Sequence, residues 1–188
     1  MTMVYLASSN VNGATGTSFT LTSGYDIFEF HFTEVYTNRQ SCCTNGIDRL
    51  TFSLNFSSFA NNTSTVLRAT NFVTDTTSAS VTYDYNSISD SDNDANSPQL
   101  TYSFGSPTSA YYTASGVVTL YDPFNTSSMK HFTSRAQNRY YYSGTESSND
   151  VYRDVYYHTT NPVTSVSFGI GAPWNNYMYG DFYMYGIK

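Results

Sequence analysis

The segment from Val163 to Lys188 most constrains the fold, because its pattern suits β-strands and excludes a helix. Val166, Phe168 and Ile170 fall on one face of an extended chain, and a glycine- and proline-rich stretch follows, at a density no helix tolerates. From Asp181 to Ile187 both faces are apolar at alternate positions. We therefore expect the fold to be completed by a C-terminal strand that pairs within a sheet.

Alternation of apolar and polar residues marks further strands upstream. It is clearest at Tyr25–Val35 and Leu50–Phe56, where one face is apolar and the other polar. Gly116–Tyr121 and Met129–Arg135 form a predicted hairpin around a turn at 122–125. Weaker strand signals and polar connections complete the pattern: strands at 66–72, 80–85, 100–104 and 151–157, and connections at 6–19, 37–49, 84–98 and 137–150.

These roughly eight to ten short strands, with little or no helix, predict an all-β protein. The expected architecture is an antiparallel β-sandwich of jelly-roll type. No internal repeat or interior linker divides the 188 residues, so one domain over 1–188 is predicted, with residues 1–18 as a candidate extended N-terminal arm.

Composition limits the classes of partner. Charged residues make up only 12% of the chain and the net charge is -6, which argues against a nucleic-acid partner. No stretch approaches the roughly 20 apolar residues of a membrane span, so no membrane partner is predicted. The N-terminus lacks a basic segment and a long apolar core, so no signal peptide is expected. Cys42 and Cys43 are adjacent, and two free thiols are a better fit than a strained disulfide, which suits assembly in a reducing cytoplasm.

A catalytic or cofactor site is not indicated. Asp90, Asp92 and Asp94 have a spacing that can surround Ca²⁺, but the glycine and distal acidic residue of an EF-hand loop are missing, so a solvated loop is the default. The three histidines lie singly in strand-like segments, and no nucleophile, phosphate-loop or dinucleotide motif occurs. We predict a non-enzymatic protein without a cofactor.

Clustered tyrosines give the main candidates for a contact surface. Tyrosine buries a large area at low entropic cost and keeps a polar tip, which suits interfaces. The alternative is that neighbouring tyrosines place one ring in the core and one on the sheet face. The interface or binding candidates are Tyr140, Tyr141, Tyr142, Trp174, Tyr177 and Tyr179.

Four short segments occur in a characteristic order: Tyr25–Phe32, Met129–Arg135, Val163–Phe168 and Gly180–Lys188. They match the patterns Y-D-x-F/Y-E-F-x-F, K-H-F-x-S-R, I-x-x-I-x-F and G-x-F-x-L-Y-G-I, with Met184 in place of the usual leucine in the last. In this combination the chain resembles small virion structural proteins of tailed phages, especially marine and cyanobacterial ones. The resemblance implies a virion component with a β-sandwich, and it brings no catalytic residues.

Two functions follow as expectations. The first is a capsid decoration or cement protein that is located in the virion, assembled in the host cytoplasm, and bound to major capsid or tail subunits. The alternative is a tail-fibre or head-fibre module that binds a host glycan through aromatic platforms. With few surface charges, the chain is also expected to form a homo-oligomer, most simply a trimer.

Overall fold

The computed structural model describes residues 1–38, 49–57, 64–75, 81–84, 98–101, 113–142, 145–170 and 177–188. For residues 38, 64–75, 81–84, 140–142 and 145–147 it describes the backbone alone. Cys42 and Cys43 lie outside the described residues. In the described parts, the chain is all-β with antiparallel pairing and contains no helix, so the predicted fold class is confirmed at that level.

The described residues form eleven strands, most of them longer than predicted. They are β1 (Met3–Ala14), β2 (Gly16–Thr20), β3 (Ile27–Asn38), β4 (Leu50–Phe56), β5 (Ser64–Asp75), β6 (Val81–Asp84), β7 (Ala114–Tyr121), β8 (Lys130–Tyr142), β9 (Thr145–Tyr157), β10 (Val163–Ile170) and β11 (Tyr177–Ile187).

Two sheets stack in a sandwich-like arrangement. The larger has eight strands in the order β1-β11-β3-β7-β8-β9-β5-β6, and the smaller has three in the order β2-β10-β4. Six pairs of successive strands among those described split between the sheets: β1 and β2, β2 and β3, β3 and β4, β4 and β5, β9 and β10, and β10 and β11. Of the last two strands, β10 is the central strand of the small sheet, and β11 is the second strand of the large sheet, paired with β1 on one edge and β3 on the other. The predicted closure by a C-terminal strand within the sheet is confirmed.

The core lies between the two sheets and is built from the predicted alternating faces. In β3, Phe28, Phe30 and Phe32 are fully buried while the residues between them face outward. Phe168 of β10 is central, with its ring centroid 4.9 Å from that of Phe182 and 5.0 Å from that of Phe52. One aromatic cluster therefore joins both sheets.

A β-bulge bends the large sheet where β11, β3 and β7 meet. Gly180 and Glu34 both have positive φ, at 137° and 52°, and the registers of β11–β3 and β3–β7 shift there. A Cβ at Gly180 would come within 2.8 Å of the Cα of Val35, so this close approach requires glycine.

Two predicted connections are strands instead. Residues 6–19, expected as an arm or loop, belong to β1 and β2. Residues 137–150, expected as a polar connection, lie mostly in the β8–β9 hairpin, which pairs from Lys130 opposite Tyr157 to Tyr142 opposite Thr145. Both segments lack apolar alternation, and their strand structure comes from pairing with a neighbour.

Candidate binding face

The outer face of the eight-stranded sheet is the main candidate surface. Because strand side chains alternate, residues between the core positions project away from the small sheet. On β8 these outward residues are half-buried or exposed: His131, Thr133, Arg135, Gln137 and Arg139. They lead from an aromatic stack at one end of the strand to a polar groove at the other.

The aromatic stack crosses three adjacent strands. The His131 ring lies between Tyr121 of β7 and Tyr156 of β9, with centroids 5.0 and 4.2 Å away and planes within 13° of parallel. His131 Nε2 is also 2.6 Å from Asp154 Oδ1. Because both faces of the imidazole are covered, this histidine has no ring face free to contact a ligand.

A second aromatic group lies on the other side of the same face. Tyr185 of β11 makes edge contacts with Tyr5 and with His31, at centroid distances of 5.9 and 5.0 Å. His31 Nε2 is 2.9 Å from the carboxylate of Glu29. The outer face thus carries rings and paired polar groups across β1, β11 and β3 as well.

The polar groove lies at the ends of β7, β8 and β9 and has a volume of about 450 Å³. Its lining combines hydroxyl, amide, guanidinium and carboxylate groups: Thr113, Ser115, Gln137, Asn138, Arg139, Ser148, Asn149 and Asp150. These groups supply hydrogen-bond donors and acceptors, and none of the described lining residues is aromatic.

Two contacts hold the groove in shape. Arg135 donates two hydrogen bonds to Asp150, at 3.1 and 2.6 Å, and this pairing raises the pKa of the guanidinium above its ordinary value. The Ser115 hydroxyl accepts a hydrogen bond from the backbone N–H of Glu34, the positive-φ residue of the bulge. The bulge therefore fixes one side of the groove.

The predicted tyrosine candidates are only partly described. Tyr177 is 52% exposed, and the Tyr179 ring stacks on Tyr36 with centroids 4.9 Å apart. The backbones of Tyr140, Tyr141 and Tyr142 form the last residues of β8, opposite Ser147, Glu146 and Thr145, and their side chains are not described. Trp174 lies outside the described residues.

Strand registers place the tyrosine groups at one end of the large sheet. Val35, Ala114 and Asn138 form a row across β3, β7 and β8. Both tyrosine groups lie beyond this row, with β3 and β7 between their strands. The groove is lined by residues along this row, so Tyr140, Tyr141 and Tyr142 follow it directly on β8, whereas Tyr177 and Tyr179 lie across β3 and β7 from it.

Asp90, Asp92 and Asp94 lie outside the described residues. Within the part of the chain that is described, no three His, Cys, Asp or Glu side chains gather in a group that could hold a metal ion. No helix there is long and apolar enough to cross a membrane.

Sequence reasoning missed the stack and the groove. The signal was present in the polar alternation of β8 and in Asp150, Tyr152, Asp154 and Tyr156 of β9. What joins these residues into a site is the register of three strands, which a single strand does not reveal.

Comparisons with known proteins give no relative: no family model matches the chain, and no curated protein or solved structure matches it significantly.

Proposed function

We propose that this chain is a non-enzymatic virion structural protein, a capsid decoration or cement protein with a β-sandwich of jelly-roll type. It binds other virion subunits through the outer face of its eight-stranded sheet. The observation that carries the proposal is that this face presents aromatic rings and internally paired polar groups across several strands. Such a surface is already ordered before a partner arrives, which lowers the entropic cost of binding.

The titratable pairs on this face favour a binding role over catalysis. Glu29, Asp150 and Asp154 each contact a basic side chain at 2.9 Å or less. Each pair joins residues on one strand or on adjacent strands, so its carboxylate helps to order the sheet surface.

The resemblance to tailed-phage virion proteins supports the same proposal. The four matching segments coincide with strands that build the sandwich, namely β3, β8, β10 and β11. The jelly-roll type is supported by the repeated passage of the chain between the two sheets and by the pairing of the C-terminal strands on both of their edges.

Particle composition tests the proposed location. In purified virions, this chain is expected at a copy number comparable with that of the major capsid subunit, measured by quantitative mass spectrometry. A handful of copies per particle would place it in the tail or at a vertex and would contradict a decoration role.

Variants test the proposed surface. Replacing exposed Arg135 and Gln137 with Ala should weaken co-sedimentation with capsids at least about tenfold, because both lie at the middle of the face. Asn55→Ala, an exposed position on the small sheet, is the matched control and should leave binding unchanged. Equal effects from both changes would contradict an outer-face interface.

The groove supports a second candidate, a glycan-binding module of a tail or head fibre. Hydroxyl, amide, guanidinium and carboxylate groups in one 450 Å³ groove match the hydrogen-bonding capacity of a sugar. The stack argues for the first candidate, since the enclosed imidazole of His131 offers no face for a sugar ring.

Glycan-array binding separates the two candidates. Selective binding that is lost in Gln137→Ala and kept in Asn55→Ala would favour the glycan module. Binding to capsids without glycan binding would favour the decoration role, and turnover of host polysaccharide by the purified protein would contradict both.

A further inference from the structure

The edge strand β1 differs from the other three edges of the two sheets. At the edge of the small sheet, β4 is covered by residues 98–101, which bond to it through Phe52 N–H to Pro98 O and Leu100 N–H to Leu50 O. The edges at β2 and β6 are short, with five and four residues. β6 covers only residues 71–74 of β5, and the part of β5 that it leaves unpaired among the described residues carries a charged residue, Arg68. β1 has twelve residues and, among the described residues, is paired on one side only, with β11.

β1 also lacks the chemical features that keep edge strands apart. It contains no charged residue and no proline, whereas lysine and proline are common devices against edge-to-edge pairing. The register of β1 with β11 shifts after Tyr5 and again after Asn12. The bulges at these points bend the later part of the strand, whereas Met3, Val4 and Tyr5 precede both of them. The unprotected part is therefore the start of the strand.

Exposed apolar side chains concentrate at this same place. Met3, Val4 and Tyr5 are 48%, 39% and 55% exposed, and Met1 is almost fully exposed. Only three other large hydrophobic residues in the described chain are exposed to this degree, and they are scattered over β9, β11 and the β7–β8 connection: Met129, Tyr152 and Tyr177. Apolar area beside unpaired backbone groups favours the addition of a strand.

We propose that β1 is a self-association edge that pairs antiparallel with β1 of a second copy of this chain. Pairing centred on Val4 places Met3 opposite Tyr5 of the second copy, so that the exposed apolar groups cover one another. A two-fold axis normal to the sheet keeps both cores on the same side and makes the contact closed, since each copy uses the same edge.

A second copy fits this edge better than a charged partner does. The chain carries a net charge of -6, so two copies repel each other overall, but β1 contributes no charged side chain to that repulsion. The apolar area is small, which makes the expected dimer reversible at micromolar concentration. This inference is independent of the proposed function.

Sedimentation equilibrium of the full chain tests the proposal. The wild type should show a reversible monomer–dimer equilibrium, and Val4→Lys should raise its dissociation constant at least about tenfold because two like charges would face each other. Met129→Lys is the matched control, since it places the same charge at a similarly exposed apolar position outside β1. A wild type that remains monomeric at high concentration, or that forms trimers, would overturn the proposal.

A mixing experiment identifies the edge itself. Val4→Lys and Val4→Asp proteins should each be monomeric alone and should form a dimer when mixed, because the opposite charges then face each other across the axis. Failure to associate on mixing would overturn the Val4-centred register. In the wild type, amide exchange at residues 3–5 should slow as concentration rises, and concentration-independent exchange would equally contradict self-pairing.

Discussion

At the scale of single residues, several polar groups are buried on the core side of β8 and β9. Tyr157 is 1% exposed, and its hydroxyl has no hydrogen-bond partner among the described residues. Burial raises the pKa of Tyr157 well above its ordinary value, and the nearby backbone of Leu54 offsets only part of the rise. The phenol thus stays protonated in the folded chain at pH values where an exposed tyrosine ionises.

Tyr157 should make the protein sensitive to alkali. Its folded pKa lies above the unfolded value of 10.0, so its contribution to stability is complete below pH 10.0 and is lost as pH rises above it. Tyr157→Phe should reduce this loss by about 1.4 kcal/mol per pH unit in urea-unfolding measurements. Tyr177→Phe, at an exposed site, should keep the wild-type slope, and equal slopes in all three proteins would contradict the prediction.

Lys130 is a buried cation that holds the β7–β8 connection. It is fully covered, its Nζ donates to the carbonyl oxygens of Asn125 and Ser128, and burial lowers its pKa. Lys130→Met should reduce the free energy of unfolding by about 1–3 kcal/mol, because two carbonyl groups lose their donor. Chemical denaturation measures the change, and the exposed Lys188→Met should stay within about 0.5 kcal/mol of the wild type. An unchanged free energy of unfolding in Lys130→Met would show that these hydrogen bonds contribute little to stability.

At the scale of elements, the bulge between β11 and β3 requires a backbone conformation and a close approach that favour glycine. Gly180→Ala combines a positive φ with a close approach to Val35, so it should cost at least about 3 kcal/mol. Gly24→Ala separates the two effects, because Gly24 also has positive φ but open space where a Cβ would lie. It should cost about 1–2 kcal/mol by thermal unfolding, and an equal cost at both sites would show that the close approach does not matter.

The terminal strand should be indispensable for folding. Deletion of residues 181–188 removes most of β11 and exposes the facing edges of β1 and β3. We expect the truncated chain to be insoluble when the full chain is soluble under the same expression conditions. A soluble truncation that unfolds cooperatively would contradict the central role of β11.

At the scale of the whole molecule, one aromatic cluster joins the two sheets. Phe168→Ala should reduce stability by about 3–5 kcal/mol and destabilise both sheets together, because its ring contacts others from β3, β4 and β11. Near-ultraviolet and far-ultraviolet circular dichroism should therefore give coincident transitions. Phe124→Ala, which removes a half-buried ring in a turn, should cost less. Separate transitions in the Phe168→Ala protein would contradict a shared core.

The fold class and several strands could be predicted because their alternation is local. β4 matches its predicted bounds, Leu50–Phe56, and the inward and outward sets of β3 and β11 follow the predicted pattern. β1 and the far half of the β8–β9 hairpin could not be predicted in this way. β1 is mostly small or polar after Leu6, and the far half of the hairpin lacks apolar alternation, so hydrogen bonds to adjacent strands make both segments extended.

The candidate site shows the same division between local pattern and tertiary arrangement. Outward positions such as His131 and Gln137 are determined by the two-residue period of a strand, which is a property of the chain itself. The tertiary structure alone decides that Tyr121, His131 and Tyr156 stack, since their contact depends on the order and register of three strands. That register is selected by burial of a shared core and by backbone pairing over long sequence separations, and neither is encoded within any one segment.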